Sequence, residues 1–387
     1  MNLQNFVMLA KHVFPKRLEG YYLFDKRNDE LFELNEEGFN FILALDGSKR
    51  LSELKFKNSF LNQLVKHNLL EFSEVEGKRE FFIYTPPFPS LRYLEIQLTE
   101  RCNLECLHCY QGEQGEAELP LDKVIKTLKE FAELQGIRVI LSGGEPLLYS
   151  RFKELNNFLK NYPARVVLLT NGTIIEKFDV SQFNIDEIQF SLDGIEHGHD
   201  YVRGKGSFRR LIKAVEKVKK ESAIPISFAT MIHRENLDEF KEMKKLVKYY
   251  NAKEWGIDLP LLYGNLSRHS ELYVNADDAL KVMRYRFGAS FHSTDDYHDY
   301  ACGVHLLTLT ARGEFLQCSF FSEQILAKVE EGLRAAIGRR RFIKQDEIKE
   351  CLDCEAFSQC HGGCRFRAGG IGKKDLLMCK VFGKESV

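Results

Sequence analysis

Three cysteines with the spacing Cys102-x3-Cys106-x2-Cys109 stand on one short stretch of this 387-residue chain. Three thiolates on one loop can hold three corners of a 4Fe–4S cluster and leave the fourth iron open to a chelating ligand. Zinc is the competing chemistry, but structural zinc is closed by four ligands, and this loop offers three cysteines plus His108. Seven further cysteines follow: Cys302, ten residues to Gly313, four residues to Cys318, then Cys351-x2-Cys354-x5-Cys360-x3-Cys364, and Cys379. A lone CxxC pair reads as a zinc ribbon, so two zinc sites stand as the alternative for this second group.

The elements that must position these residues change character along the chain. Residues 1–78 read as a small α+β module. Apolar runs at 21–24 and 31–34 flank the polar turn 25–30 and predict a hairpin. Asn35 is placed as a helix N-cap with Glu36 and Glu37 in the first turn and Gly47 as the stop. A second helix at 60–67 and a strand at 69–72 complete a winged-helix-like arrangement, and the proline-containing 84–89 reads as a linker. Over 91–290 strands and helices alternate, with strands expected at 93–97, 138–142, 165–169, 187–191, 225–230 and 254–259. Helices are expected at 121–134, 207–220 and 237–249. Such repetition gives a parallel sheet with right-handed crossovers. Six units are fewer than the eight of a closed barrel, so the fold class is α/β, an open, partial (β/α)6 barrel binding ligands beyond its C-terminal strand ends. Residues 300–387 are glycine-scattered and weakly periodic, and bound clusters would supply the cross-links such an extension needs.

Bulk properties exclude several classes. Hydrophobic residues are 44% and charged residues 29% of the chain, and the net charge is −1, so neither nucleic acid nor an anionic membrane is an expected partner. The basic run at 339–341 is followed by acidic residues and reads as a solvated helix face. No run approaches the roughly 20 apolar residues of a membrane span, and the N-terminus lacks the pattern of a secretory signal. The expected location is the cytoplasm, where ten cysteines suit metal or catalysis better than disulfides.

At the first cysteine group the sequence resembles the radical SAM superfamily, in which CxxxCxxC follows the first strand of a partial barrel. The resemblance continues in order through Ser142-Gly143-Gly144-Glu145-Pro146, similar to that family's GGEP, then Thr170-Asn171-Gly172, Ser191-Leu192-Asp193-Gly194, His199-Asp200 and Arg203-Gly204. It implies that the open iron is chelated by S-adenosylmethionine (SAM). Gly143, Gly144 and Glu145 would hold its methionine amino group, and Ser191 and Arg203 would contact the ribose and the carboxylate. His108 and Leu259 are candidates to line the adenine. A local pairing role for Arg203 and a plain core role for Leu259 are the alternatives. The implied chemistry is reductive cleavage to a 5′-deoxyadenosyl radical that abstracts hydrogen from a substrate, with an external reductant such as a ferredoxin or flavodoxin.

The seven later cysteines are similar to the SPASM extension of radical SAM enzymes, which carries two auxiliary 4Fe–4S clusters. That resemblance assigns Cys351, Cys354, Cys360 and Cys379 to one and Cys302, Cys318 and Cys364 to the other, whose fourth ligand is not identifiable. All ten cysteines are then used, for three clusters. Sulfatase-maturing members carry an acidic residue after the equivalent of Cys318. Ser319 stands there in this chain, which disfavours formylglycine formation. The first 78 residues resemble the PqqD-like peptide recognition domain, which binds a leader peptide as an added strand. A structural cap or dimerisation module is the other reading. Together these imply a maturase that cross-links, oxidises or epimerises a ribosomally made precursor peptide, the leader being held by residues 1–78. The alternative is a tetrapyrrole side-chain or quinone-cofactor enzyme, and a non-catalytic electron carrier is a third class.

Overall fold

The computed structural model describes residues 3–54, 58–288, 300–321 and 324–384, so the expected outer limits at 1, 290 and 387 lie outside it. The N-terminal segment holds β1 (Phe6–Leu9), β2 (Val13–Arg17), β3 (Tyr21–Asp25), β4 (Glu30–Leu34), α1 (Glu36–Leu43), β5 (Asp46–Arg50), α2 (Asn58–Lys66) and β6 (Leu70–Ser73). These make two three-stranded antiparallel sheets, β2-β3-β4 and β5-β1-β6. The expected hairpin is β3–β4, with Tyr21 opposite Leu34. Asn35 caps α1, its side chain accepting from the Gly38 N–H at 2.8 Å. Gly47 is not the helix stop. The helix ends at Leu43, and Gly47 lies in β5 at φ +91°, where a Cβ would sit 2.7 Å from the Gly77 carbonyl and from Met8. Its bareness serves a close backbone crossing. Strands β1, β2 and β5 are additional to the expected elements: β1 pairs with the distant β5 and β6, β5 (Asp-Gly-Ser-Lys-Arg) carries no apolar alternation, and β2 (Val-Phe-Pro-Lys-Arg) holds a proline and two cations beside β3.

The central segment runs β7 (Tyr93–Gln97), α3 (Leu121–Glu133), β8 (Arg138–Ser142), α4 (Phe152–Phe158), β9 (Arg165–Thr170), β10 (Glu187–Ser191), α5 (Glu196–Arg203), α6 (Ser207–Glu221), β11 (Ile226–Met231), α7 (Phe240–Tyr249), β12 (Trp255–Asp258) and α8 (Ala276–Met283). All six strands pair in parallel in the order β12-β11-β10-β9-β8-β7. Strand β8 is buried along its whole length, as befits a parallel strand covered on both faces. The helices bury one stripe each: Val124, Leu128 and Phe131 on α3, and Leu211, Ala214, Val215 and Val218 on α6, spaced at three and four residues. One crossover departs from the strand–helix scheme. Between β9 and β10 run two 3-10 turns, Ile175–Lys177 and Val180–Gln182. There Phe178 and Phe183 pack edge-on against Phe152 and fill the layer a helix would occupy.

The C-terminal segment is more regular than its composition suggests. It contains β13 (Leu306–Leu309), β14 (Glu314–Leu316), β15 (Ile325–Lys328), α9 (Leu333–Gly338), α10 (Phe357–Cys360) and α11 (Leu376–Val381). Strand β13 pairs in parallel with β7, Leu306 opposite Tyr93, and β14 and β15 continue antiparallel to give one nine-stranded sheet. The central sheet therefore crosses the expected boundary at 300.

The N-terminal module docks on the N-terminal ends of the parallel strands. Leu18 and Phe24 pack with Ile137, Lys16 Nζ donates to the Gly136 carbonyl at 2.7 Å, and Lys26 Nζ to that of Tyr162. Asp29, in the β3–β4 turn, meets Arg138 and lies within 3.8 Å of Arg165 and 3.5 Å of Lys253. Glu187 pairs with Arg165 at 2.6 Å. Among the described residues no helix is long and apolar enough to cross a membrane.

Candidate functional site

The opposite, C-terminal ends of the strands gather the first set of candidate residues. The chain leaves β7 through Thr99–Arg101 into the loop of Cys102, Cys106 and Cys109. The turn after β8 is bound to that loop: the Gly144 N–H donates to the Thr99 carbonyl at 2.8 Å, and the Glu145 N–H to that of Arg101 at 2.9 Å. A Cβ on Gly143 would lie 2.4 Å from the Thr99 oxygen, and one on Gly144 2.4 Å from the Arg101 oxygen. The two glycines thus make room for the cysteine loop's own backbone, a demand the sequence reading assigned to a ligand.

Glu145 is fully buried. Its carboxylate accepts from the Leu147 N–H, the Thr170 hydroxyl and the Asn171 N–H at 3.2, 2.8 and 2.9 Å. It pins the turn after β8 to the turn after β9, where Asn171 in turn supports Asn103 at 3.1 Å. Burial pushes this carboxyl up to about 7, against the pull of those donors and Arg203.

The three thiols are mutual neighbours. Burial raises Cys106 to about 11, with Arg203 opposing and Cys109 and Cys102 adding to the rise. Burial also raises Cys102, to which Glu145 and Cys109 contribute. All ten cysteines are free, and thiols held protonated by burial release those protons on metal loading. Asn265 clamps the loop from the far side, its backbone N–H donating to the Cys109 carbonyl at 2.9 Å and its side chain to that of Cys106 at 3.0 Å.

Beside this loop lies a polar network the sequence did not reveal. Arg203, at the end of α5, donates through Nε to Asp193 Oδ2 at 2.5 Å, and His108 Nε2 lies 3.1 Å from the same oxygen. Oδ1 of Asp193 takes the Met231 N–H at 2.8 Å. Burial works to raise Asp193, yet Arg203 and His108 hold it well below the usual carboxylate range. Burial lowers His199 to about 3 and His233 to about 4, so both are neutral. Nε2 of His199 and Nδ1 of His108 and His233 are buried without a hydrogen-bond partner. The Asp-Gly pair after β10 was the sole local signal for Asp193, and it reads equally well as a turn. Arg203 takes the local pairing that was its alternative role. Ser191 ends β10 half-buried, its backbone opposite Ala229. Leu259 lies one residue past β12 and packs on the main core, which is its alternative role.

The later cysteines gather in two groups. Cys351, Cys354, Cys360 and Cys379 line one small cavity with Ala356, Gly362 and Met378. Cys302 and Cys364 are neighbours of Cys318, which burial lifts to about 12. An aromatic set bridges this region to the first loop: Tyr110 packs on Phe320 at 5.3 Å, Phe320 on Phe366 at 5.9 Å, and Tyr263 on Phe366 at 4.9 Å. A carboxylate does stand beside Cys318, supplied from β7. Glu95 accepts from the hydroxyls of Ser319, Ser142 and Thr308 at 2.5, 2.6 and 3.0 Å.

The donor set fits a 4Fe–4S group better than a single ion: three free thiols on one loop, with Arg203 as the nearby cation. Comparison with known proteins agrees. Residues 96–247 match the radical SAM superfamily. The chain is 26% identical over 226 residues to an AdoMet-dependent heme synthase of Oleidesulfovibrio alaskensis, covering 56% of this chain and 58% of that protein's length. It is 27% identical over 316 residues to the PqqA peptide cyclase of Gluconobacter oxydans, covering 73% and 88%. In fold it resembles Streptococcus suis SuiB crystallised with the precursor peptide SuiA, with a TM-score of 0.66 at 14% identity over 95% of this chain and 98% of that one. Residues 96–247 of this chain thus carry a radical SAM domain, and the chain spans less than two thirds of the heme synthase's length.

Proposed function

We propose that this enzyme modifies a ribosomally made precursor peptide. With a 4Fe–4S cluster and SAM bound, the chemistry supplied is one-electron cleavage of the sulfonium and hydrogen-atom abstraction by the resulting 5′-deoxyadenosyl radical. Cys102, Cys106 and Cys109 hold the cluster. The backbone of Gly143–Glu145 receives the methionine amino group, since the Glu145 carboxylate is already engaged by three protein donors. Arg203, fixed by Asp193, faces the methionine carboxylate, Ser191 the ribose, and His108 with Leu259 the adenine. Cys351, Cys354, Cys360 and Cys379 carry one auxiliary cluster and Cys302, Cys318 and Cys364 another. The reductant is an external carrier of the ferredoxin or flavodoxin type.

The observation that carries the peptide reading is the edge of β4, which among the described residues pairs with β3 alone. An edge with unpaired N–H and C=O groups can accept an extended peptide as a further strand. Phe32 and His67, 5.7 Å apart, offer side-chain contacts beside it. The likeness to SuiB extends through this module and supports the same reading. A tetrapyrrole substrate is the second reading, favoured by the heme synthase relative and by the Cys360-His-Gly-Gly-Cys364 run.

The test is anaerobic turnover with a short peptide encoded beside this chain. Mass spectrometry reads the modification, and a photo-crosslinker in the leader reads its position. Crosslinks to residues 30–34 with a mass change in the peptide are expected. Binding of a tetrapyrrole with neither outcome would overturn the proposal.

A further inference from the structure

Arg365 is one residue past Cys364 and 1% exposed. Its Nη1 donates to the Ile371 and Lys373 carbonyls at 3.2 and 2.6 Å, and its Nη2 to that of Gly362. All three acceptors are neutral. Among the described residues no carboxylate lies within ion-pair distance of it, and its Nε is buried with no hydrogen-bond partner. The adjacent Arg367 is a contrast, paired through Nη2 with Asp375 at 2.6 Å. A guanidinium stays charged at any ordinary pH, and a buried charge needs a counter-charge.

The counter-charge in reach is sulfur. Arg365 follows Cys364 directly, the Arg367 N–H bonds the Cys364 sulfur at 3.4 Å, and the guanidinium is an electrostatic neighbour of Cys302, Cys351, Cys360 and Cys379. The charge therefore stands between the two C-terminal cysteine groups. The turn it grips is cut to fit. A Cβ on Gly362, at φ +74°, would lie 2.9 Å from Arg365 Nη2.

We propose that Arg365 is a positioning residue shared by both auxiliary cluster sites, its Nε–H reserved for a cluster sulfur and its charge setting their reduction potentials. Hydrogen bonds to sulfur and net local charge are the protein's levers on such potentials. The inference rests on the auxiliary-cluster assignment above.

The experiment is a redox titration of the anaerobically reconstituted full chain, followed by electron paramagnetic resonance, with iron and sulfide counted per chain. Arg365→Gln should hold iron for three clusters yet favour oxidised auxiliary clusters at least tenfold, about 59 mV for one electron. The cluster at Cys102 should not move, and Arg365→Lys should recover most of the shift. Full iron with unshifted auxiliary potentials in Arg365→Gln would overturn the role. If Arg365→Gln fails to load, Arg365→Lys decides. Loading at near-normal potentials supports the charge role, and failure in both with the first cluster intact assigns the residue to packing alone. Iron for only one cluster in the unmutated chain would sink the auxiliary assignment itself.

Discussion

The two ends of the parallel sheet are built from the same kinds of residue and end in opposite conditions. At the N-terminal end Arg138, Arg165 and Lys253 face Asp29, Glu187 and Glu254, three charges of each sign. Asp29 of the docked module lies within ion-pair distance of all three cations, while Arg165 Nε and Lys253 Nζ are buried without a hydrogen-bond partner. At the C-terminal end Arg203 and Asp193 are likewise buried and paired, but the groups around them are three free thiols and histidines with an unpartnered ring nitrogen. A buried ion pair alone does not mark a functional site. What distinguishes the two ends is the chemistry beside the pair: further charged side chains at one, thiols and imidazoles able to ligate at the other.

The largest effect that would sharpen this contrast is removal of the free thiols. Replacing Cys102, Cys106 and Cys109 together by Ala should abolish 5′-deoxyadenosine formation from SAM while sparing the iron bound by the C-terminal cysteines. Cleavage that survives would break the site assignment.

Next come the two ion pairs. Breaking either end, by Asp29→Asn or Asp193→Asn, leaves a buried arginine short of its partner and should cost roughly 3–5 kcal/mol of stability, read by chemical denaturation. The functional readings should diverge. Asp193→Asn frees Arg203 and His108 and should weaken SAM binding by roughly tenfold or more, about 1.4 kcal/mol, measured by calorimetry on loaded protein. Asp29→Asn should leave that affinity unchanged. Equal losses would erase the distinction between the ends.

The smallest effect is pH-dependent. Glu145 has its carboxyl raised from 4.5 to about 7 by burial, so between those values the folded state binds more protons than the unfolded chain. Its contribution is complete below about pH 4.5 and is lost as pH rises through 7, amounting to about 3 kcal/mol. Stability of the unmutated chain relative to Glu145→Gln should therefore fall across pH 5–8. Asp193 is depressed and titrates well below this window, so it should not mask the trend. A flat difference would show that the donors on Glu145 outweigh its burial.

These results also measure what was legible in advance. The six parallel strands could be read because each holds local apolar residues, successive in β8 and alternating in β7, and β7, β8 and β10 fall on their expected limits. Cysteine spacing exposed the groups because ligation imposes spacing along the chain. Asp193, Asp29 and Arg365 could not be found that way. Each is defined by what it meets across long separations or by a partner it lacks, and neither condition leaves a local pattern. Strand β13 escaped notice for a related reason: four residues, Leu-Leu-Thr-Leu, become a sheet member only because β7 has a side to receive them.

That strand bears on how such enzymes can be recombined. Leu306 through Leu309 lie in register with Tyr93 through Ile96, on the strand that feeds the Cys102 loop. A junction drawn at residue 300 would therefore strip the catalytic sheet of a neighbour along β7 and leave the N–H and C=O groups of that edge unpaired. A foreign tail grafted there must carry its own replacement strand, matched to β7. The natural unit of exchange begins no earlier than the end of α9, because Val329, Leu333, Ala336 and Ile337 still belong to the main core.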